Sequence, residues 1–203
     1  MKLFPSSRFA ADRGGFTLIE LLVVIAIIAI LVTGACAAFA FAIERTKAVG
    51  AQTMARTVAD AVEQFQKDYD QLPLPPSATA GTDCATDTSA AEGLLPILMG
   101  MDKAQNSRGT NYLTDMKDAT STGKNKRVDG LVRNEETVEL VDPWGTPYKV
   151  TLDLDLDGKI LNPNEKEADE GRKELHKSVI IHSAGKDRDF STWKDNVTSW
   201  SSH

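Results

Sequence analysis

Residues 13–31 read RGGFTLIELLVVIAIIAIL, and this stretch decides how the rest of the chain is organised. It opens an uncharged run of 23 residues that extends from Leu21 to Ile43. A helix of about 20 apolar residues is long enough to cross the hydrocarbon core of a bilayer. Basic residues outnumber acidic ones before the run, although the whole chain has a net charge of -6. This asymmetry predicts a single-pass membrane protein with a cytoplasmic N-terminus and a C-terminal domain outside the cytoplasm.

Ordinary export signals offer three other interpretations of this segment. A cleaved secretory signal would end near Ala37 or Ala40, where small residues cluster. A lipoprotein signal would use Cys36, and an uncut signal anchor would keep the whole segment. However, the apolar segment is longer than a usual signal core and contains the carboxylate of Glu20, and the residues before Cys36 lack the branched aliphatic residue of a lipoprotein signal.

The unbroken sequence Gly-Phe-Thr-Leu-Ile-Glu at residues 15–20 resembles the N-terminus of type IV prepilins and type II secretion pseudopilins. The resemblance implies that a prepilin peptidase cuts between Gly15 and Phe16 and then N-methylates Phe16. It also implies that Glu20 pairs with the amino group of Phe16 on a neighbouring subunit of a filament. A lone carboxylate in apolar surroundings is costly and usually has a partner. The alternative is a glutamate whose side chain reaches the lipid headgroups.

One helix is expected to extend from the membrane into the outer domain, because no proline occurs from Phe16 to Leu72. Beyond the membrane, apolar residues recur in steps of three and four from Met54 to Leu72, which is typical of an amphipathic helix. The stripe lasts under three heptads, which disfavours a long coiled-coil stalk. We therefore expect four segments: a leader at 1–15, a membrane and filament-core helix at 16–43, the amphipathic half of that helix at 44–72, and an extracytoplasmic globular domain at 73–203.

Two stretches near the C-terminus, 148–154 and 178–183, alternate as strands, and we expect them to pair antiparallel. Residues 142–145, Asp-Pro-Trp-Gly, predict a type I turn ahead of the first strand, with Trp144 buried against the helix. The sequence that begins at this turn resembles the segment before the sheet in major type II secretion pseudopilins. The resemblance implies an α+β, pilin-like fold, in which a long N-terminal helix packs on a small antiparallel sheet.

The region between helix and sheet predicts little regular structure. Residues 73–92 are rich in Pro, Ser, Thr, Gly and Asp and predict a loop, and 92–99 predict a short helix. Cys84 falls in that loop and Cys36 in the apolar run, so we expect two unpaired thiols.

The stretch from Ser183 to Trp200 resembles the C-terminal calcium loop of the major pseudopilins. Hard oxygen ligands of the kind found there suit Ca²⁺. A carboxylate-rich turn held by backbone amides is the alternative. We expect Trp193 and Trp200 to pack the loop onto the sheet. The resemblance implies five ligands, three side chains and two main-chain carbonyls: Asp187, Asp195, Asn196, Ala184 and Thr192.

A second acidic loop has carboxylates at alternate positions, Asp153, Asp155 and Asp157, followed by a glycine. This is the opening of an EF-hand calcium loop, in which the glycine permits the sharp bend. The pattern departs at position twelve, where Asn164 stands instead of a bidentate glutamate. We therefore treat the three aspartates as a second candidate calcium site, with a solvated hairpin as the alternative.

Several function classes have no support in the sequence. The acidic body argues against nucleic-acid binding, which needs clustered cations, and we expect the basic patch at 124–127 to be a solvated loop. No motif of a hydrolase, zinc protease or phosphate-binding loop occurs, and His182 is expected to be a satisfied strand residue, so we expect no enzyme.

The resemblance implies a structural subunit of a pseudopilus that polymerises with itself. It also implies a single-pass inner-membrane location before assembly, with the C-terminal domain in the periplasm or, in a filament, outside the cell. Its other implied partners are a prepilin peptidase, minor pseudopilins, an inner-membrane assembly platform and, before assembly, membrane lipid. A type IV pilus subunit and a membrane-tethered calcium-binding module that does not assemble are the alternatives.

Overall fold

The computed structural model describes four stretches of the chain: 15–79, 81–123, 126–134 and 137–201. Of the predicted leader, only Gly15 lies within the described residues. The chain divides into two compact units, Met1–Glu44 and Arg45–His203. The first unit contains the apolar half of the N-terminal helix, and the second contains the amphipathic half and the sheet.

The N-terminal helix, α1, extends from Leu18 to Tyr69. It ends where Asp70 adopts a left-handed conformation with a φ of 54°. The predicted helix at 16–72 is slightly too long at its C-terminal end, because this turn closes the helix before the chain reaches Pro73. At the other end, the helix begins at Leu18 and not at Phe16.

Short elements follow α1. In chain order they are β1 (Cys84–Asp87), α2 (Leu94–Leu98), β2 (Thr120–Thr122), β3 (Lys126–Val128), β4 (Gly130–Arg133), β5 (Val138–Val141), β6 (Lys149–Leu152), β7 (Ile160–Leu161), α3 (Glu165–Asp169), β8 (Glu174–Leu175), β9 (Val179–Ser183) and β10 (Val197–Thr198). The main sheet has the order β1-β6-β9-β10, and β2 with β3, β4 with β5 and β7 with β8 form separate antiparallel pairs.

The main sheet is antiparallel throughout, and β6 and β9 lie at its centre. Lys149 lies opposite His182, and Leu152 opposite Val179, which confirms the predicted pairing of the two C-terminal strands. A long N-terminal helix followed by small antiparallel sheets is an α+β, pilin-like arrangement, as the sequence predicted.

The amphipathic half of α1 supplies one side of the hydrophobic core. Met54 and Tyr69, two members of the predicted stripe, are partly buried against that core, and Leu72, its last member, is buried in it. Four predicted members of the stripe are buried in the core: Val58, Ala61, Val62 and Phe65. Ala51 and Ala55, which the sequence did not single out, are buried with them. They belong to one cluster with Val150, Leu152 and Ile181, so the helix packs on the sheet.

The edge strand β1 corrects the prediction that 73–92 is only a loop. Cys84 is 5% exposed and pairs with Leu152, the last residue of β6. Cys-Ala-Thr-Asp has little intrinsic preference for a strand, so pairing with β6 rather than local sequence makes it one. Cys36 and Cys84 are both free thiols.

The turn at Asp142 fixes the start of β6 against β9. The Gly145 amide donates to the carbonyl oxygen of Asp142 at 2.9 Å, which confirms the predicted turn, and Trp144 is buried in the core. Asp142 Oδ1 accepts the amides of Trp144 and Thr146, both at 2.9 Å, and Oδ2 accepts the Ser183 hydroxyl at 2.6 Å. Burial raises the pKa of the Asp142 carboxyl, although these hydrogen bonds act against the rise.

Candidate functional site

The N-terminus of α1 is closed by a reciprocal pair of side chains. Glu20 Oε2 accepts the amide of Thr17 at 2.9 Å and the hydroxyl of Thr17 at 2.8 Å. In return, the Glu20 amide donates to Thr17 Oγ1 at 3.2 Å. This is a capping box, which satisfies donors that the first turn of a helix leaves unpaired. Glu20 therefore has a local role within one chain, before any neighbouring copy is considered.

The apolar half of α1 has no protein packed around it within the described chain. Its large apolar side chains are between 40% exposed, at Ile43, and 82% exposed, at Leu18. By length and composition, this is one helix apolar enough to cross a membrane. A helix that is apolar all round needs lipid or other apolar helices to cover it.

The C-terminal loop between β9 and β10 is folded around two of the predicted calcium ligands. Asp195 Oδ2 accepts the amides of Lys186 at 2.8 Å and Asp187 at 3.1 Å. The Asp187 carboxylate accepts the amide of Asp189 at 2.9 Å and the hydroxyl of Thr192. The bond from Thr192 and then that from Asp189 lower the pKa of Asp187, so its carboxylate is anionic at neutral pH.

Asn196, the third predicted side-chain ligand, carries a buried oxygen without a donor. The residue is 9% exposed, and its Nδ2 donates to the Phe190 carbonyl at 3.2 Å. Its Oδ1 has no hydrogen-bond partner among the described residues. An unpaired buried oxygen is costly, and an amide oxygen is a ligand that Ca²⁺ accepts.

The two main-chain positions of the predicted set differ in burial, since Ala184 is fully buried and Thr192 is exposed. The donor set fits a calcium ion, and the assignment of the five ligands stays a prediction.

Aromatic rings hold this loop on the sheet around His182. The His182 ring centroid lies 5.4 Å from that of Phe190, 5.2 Å from Trp193 and 5.9 Å from Trp200, which confirms the predicted packing of the two tryptophans. The prediction that His182 is a satisfied strand residue is wrong, because its Nδ1 is buried without a partner among the described residues. Burial, and to a smaller extent the nearby ammonium of Lys149, lower the pKa of His182 to about 4.

The second acidic loop brings together a set of residues that only partly matches the sequence pattern. Ligand atoms of Asp83, Asp153 and Asp155 all lie within 4.8 Å of one another. Asp153 is 3% exposed, and its Oδ2 accepts the Gly158 amide at 2.9 Å. Asp157 does not belong to this group, and its Oδ1 accepts the Lys159 amide at 2.8 Å.

Comparison with known protein families bears on the N-terminal segment. Residues 11–35 match the family model of the prokaryotic N-terminal methylation motif. The match supports a type IV pilin-like protein of the prepilin type, and it contains Gly15, Phe16 and Glu20. The motif implies processing by prepilin peptidase and assembly into pilus-like filaments, which is the role of a structural subunit rather than an enzyme. No curated protein and no solved structure matched the chain.

The methylation motif and the capping box share the same residues. Glu20 lies inside the motif and pairs with Thr17 at the first turn of the helix. The capping role of Thr17 was not predicted, although its signal, Thr-x-x-Glu ahead of an apolar run, is present at 17–20. Asp83 was not predicted either and has no local signal, because only the pairing of β1 with β6 brings it close to Asp153.

Proposed function

We propose that the chain is a structural subunit of a pseudopilus in a type II secretion-like system. Prepilin peptidase removes residues 1–15, Phe16 becomes the methylated N-terminus, and the subunits leave the inner membrane to form a helical filament that calcium stabilises. The observation that carries the proposal is the methylation motif over 11–35, with Gly15, Phe16 and Glu20 in register. A type IV pilus subunit is the near alternative, and it shares each of these steps.

Glu20 is the residue on which assembly depends in this proposal. Both hydrogen bonds that it receives from Thr17 go to Oε2, so neither of them uses Oε1. Once Phe16 is the N-terminus, its amino group is a cation. In the filament, this amino group pairs with the Glu20 carboxylate of a neighbouring copy. A charge pair is far stronger in apolar surroundings than in water, whereas either charge alone is costly there. Pairing between copies therefore favours the filament over separate subunits in lipid.

The exposed apolar half of α1 supports the same proposal. Its large side chains, from Leu18 to Ile43, are covered by lipid before assembly and by the same helix of other copies afterwards. Because hydrocarbon and neighbouring helices are similarly apolar, burial alone does not choose between the two states. The ion pair at Glu20 supplies the preference.

Calcium in the C-terminal loop completes the proposal. The loop is anchored by aromatic rings on one side and by its own carboxylates on the other, and Asn196 Oδ1 is buried without a donor. An ion bound by Asp187, Asp195 and Asn196 would fix the backbone between β9 and β10. A fixed loop surface supports regular contacts between subunits, because less conformational entropy is lost on assembly.

The first experiment replaces Glu20 with glutamine in the full-length chain, expressed with a prepilin peptidase and an assembly system. Mass spectrometry of the N-terminus reports processing at Gly15–Phe16, and electron microscopy reports fibres. We expect a mature chain that starts at methylated Phe16 in both proteins, with fibres in the wild type and a loss of at least about tenfold in fibre number for Glu20→Gln.

The matched control is Glu63→Gln, which removes a carboxylate from the amphipathic half of the same helix and should leave fibres unchanged. Undiminished fibres in Glu20→Gln would refute the assembly mechanism. A mature chain that begins near Ala37 or Ala40, or an intact Met1, would refute the prepilin interpretation altogether and leave a membrane-tethered domain.

The calcium part is tested by adding a chelator to preformed fibres of the wild type. We expect shortening or loss of fibres, and we expect Asp187→Asn to give the same defect without chelator. Asp189→Asn is the control, because Asp189 bonds to Ser191 within the same loop and is outside the predicted ligand set. Fibres that persist in chelator would contradict a stabilising role for calcium while leaving the processing and assembly steps standing.

A further inference from the structure

A second acidic cluster lies at the opposite edge of the sheet from the C-terminal loop. Asp83 immediately precedes β1, and Asp153 immediately follows β6. Because Cys84 pairs with Leu152 in an antiparallel ladder, the two acids face each other where the ladder ends. Asp155 turns back toward them, so that one ligand atom from each of the three residues lies within 4.8 Å of the others.

The buried member of the cluster carries an oxygen that nothing in the described chain satisfies. Asp153 is 3% exposed, and while its Oδ2 accepts the Gly158 amide, its Oδ1 has no hydrogen-bond partner among the described residues. An orphaned carboxylate oxygen in the interior is expensive unless a donor or a metal ion meets it. This observation is independent of the acidic composition of the loop.

Neighbouring positive side chains do not meet this need. Within the described residues, no ion pair joins Asp83, Asp153 or Asp155 to a lysine or arginine. The lysine of the same loop, Lys159, instead pairs with Glu174 at 3.0 Å. Like charges opposite each other at the end of a ladder destabilise the pairing of the strands.

We propose that Asp83, Asp153 and Asp155 bind a divalent cation of the calcium type, which holds β1 onto β6 at the edge of the sheet. The donor set is made of carboxylate oxygens, without a thiolate or imidazole, and therefore suits Ca²⁺ or Mg²⁺ rather than zinc or copper. The site differs from the EF-hand pattern in the sequence, because Asp83 comes from a separate strand and Asp157 bonds instead to the Lys159 amide.

The pKa values of the cluster agree with this proposal. Burial and the neighbouring Asp155 raise the pKa of Asp153, and burial together with the other loop aspartates raises the pKa of Asp83. A bound cation would counteract both burial and the repulsion between the carboxylates. Its positive charge balances theirs, and it bonds to oxygens that have lost contact with water. A proton shared between Asp153 and Asp155 is the competing way to relieve them.

The proposal is tested by calorimetric titration of the full-length chain with calcium chloride in detergent micelles at neutral pH. Assembly plays no part in this measurement, so its outcome is separate from that of the filament experiments. We expect wild-type affinity in the range of extracellular calcium modules, on the order of 0.1–1 mM. Asp83→Asn should weaken one binding event by at least about tenfold, because it removes a charged ligand, and Asp83 is exposed, so the substitution should leave the fold intact.

Three further variants make the test decisive. Asp187→Asn removes the predicted ligand of the C-terminal loop, and the effect of Asp83→Asn should persist in that background. Asp157→Asn removes an equal charge from the same loop outside the cluster, and it should change affinity by less than about threefold. Asp155→Asn should match Asp83→Asn, which guards against misfolding of a single variant.

Hydrogen exchange gives a second readout. Calcium should slow exchange at the amides of β1 in the wild type and in Asp157→Asn but not in Asp83→Asn. An isotherm unchanged by Asp83→Asn, or complete loss of binding on Asp187→Asn alone, would overturn the proposal. A titration in which acidification, and not calcium, protects β1 would favour the shared proton and would also overturn it.

Discussion

His182 should make the folded domain lose stability in mild acid. Its ring is surrounded by Phe190, Trp193 and Trp200, and burial is the main cause that lowers its pKa from 6.5 to about 4. Between pH 6.5 and pH 4, His182 is therefore protonated in the unfolded chain but neutral in the folded chain. Stability linked to His182 is fully present above about pH 6.5 and is lost as the pH falls towards 4.

The size of this effect follows from the two pKa values. Each tenfold change in a protonation equilibrium is worth about 1.4 kcal/mol, so the total loss is about 3 kcal/mol when the pH reaches 4. At pH 5 the loss is about 2 kcal/mol. With a urea dependence of about 2 kcal/mol per molar, the denaturation midpoint falls by about 1 M between pH 7 and pH 5 from this residue alone.

The assay compares wild type with His182→Phe by urea denaturation in calcium-free buffer and detergent, followed by tryptophan fluorescence. Phenylalanine keeps a ring among the three aromatic neighbours and has no nitrogen to protonate. The difference in unfolding free energy between the two proteins should grow by about 2 kcal/mol in favour of the variant from pH 7 to pH 5.

The control is His176→Gln, since His176 is exposed on the surface, and it should follow the wild type at both pH values. Parallel pH profiles for wild type and His182→Phe would refute the reasoning.

Two pairs of substitutions test how the sheet and the C-terminal loop are held in place. Asp142→Ala should lower the free energy of unfolding by about 3 kcal/mol, because the buried donors that bond to Asp142 lose their acceptor. Asp142→Asn should lower it by only about 1 kcal/mol, since asparagine keeps one acceptor oxygen. Equal losses of stability for the two variants in urea denaturation would contradict this account. Gly185→Ala should cost more than about 2 kcal/mol, because Gly185 has a φ of 70° and an added Cβ would lie 2.2 Å from the Asp195 carbonyl oxygen. Gly158→Ala, with a φ of 78° and nothing within 4 Å of its Cβ, should cost only about 1 kcal/mol, and a similar loss in both glycine variants would show that the close approach is unimportant.

The parts of the fold that were predictable are those encoded by neighbouring residues. The long helix follows from an apolar run, an amphipathic stripe and the lack of proline up to Pro73, and the turn at Asp142 follows from the order of four residues. The central strands alternate clearly enough to be found. In contrast, β1 was missed, because its four residues have little strand preference and become a strand only against β6.

The candidate sites divide in the same way. Glu20 and the proposed processing residues, Gly15 and Phe16, lie within six consecutive positions, and the capping bond between Thr17 and Glu20 depends only on one helical turn. The sequence showed that the two loops are acidic, but it did not show that Asp83 joins Asp153 and Asp155. Asp83 and Asp153 are far apart in the chain, and their proximity depends on the register of an edge strand.

The sequence by itself determined the methylation motif, the long apolar helix and the positions of the acidic loops, because each depends on spacing along a few turns of chain. Only the tertiary structure decided that His182 is enclosed by three aromatic rings, that Asn196 keeps an oxygen without a donor, and that Asp83 completes an acidic cluster. Burial and the loss of hydrogen bonds to water are properties of packed surroundings, and those surroundings come from strands that pair across long stretches of sequence.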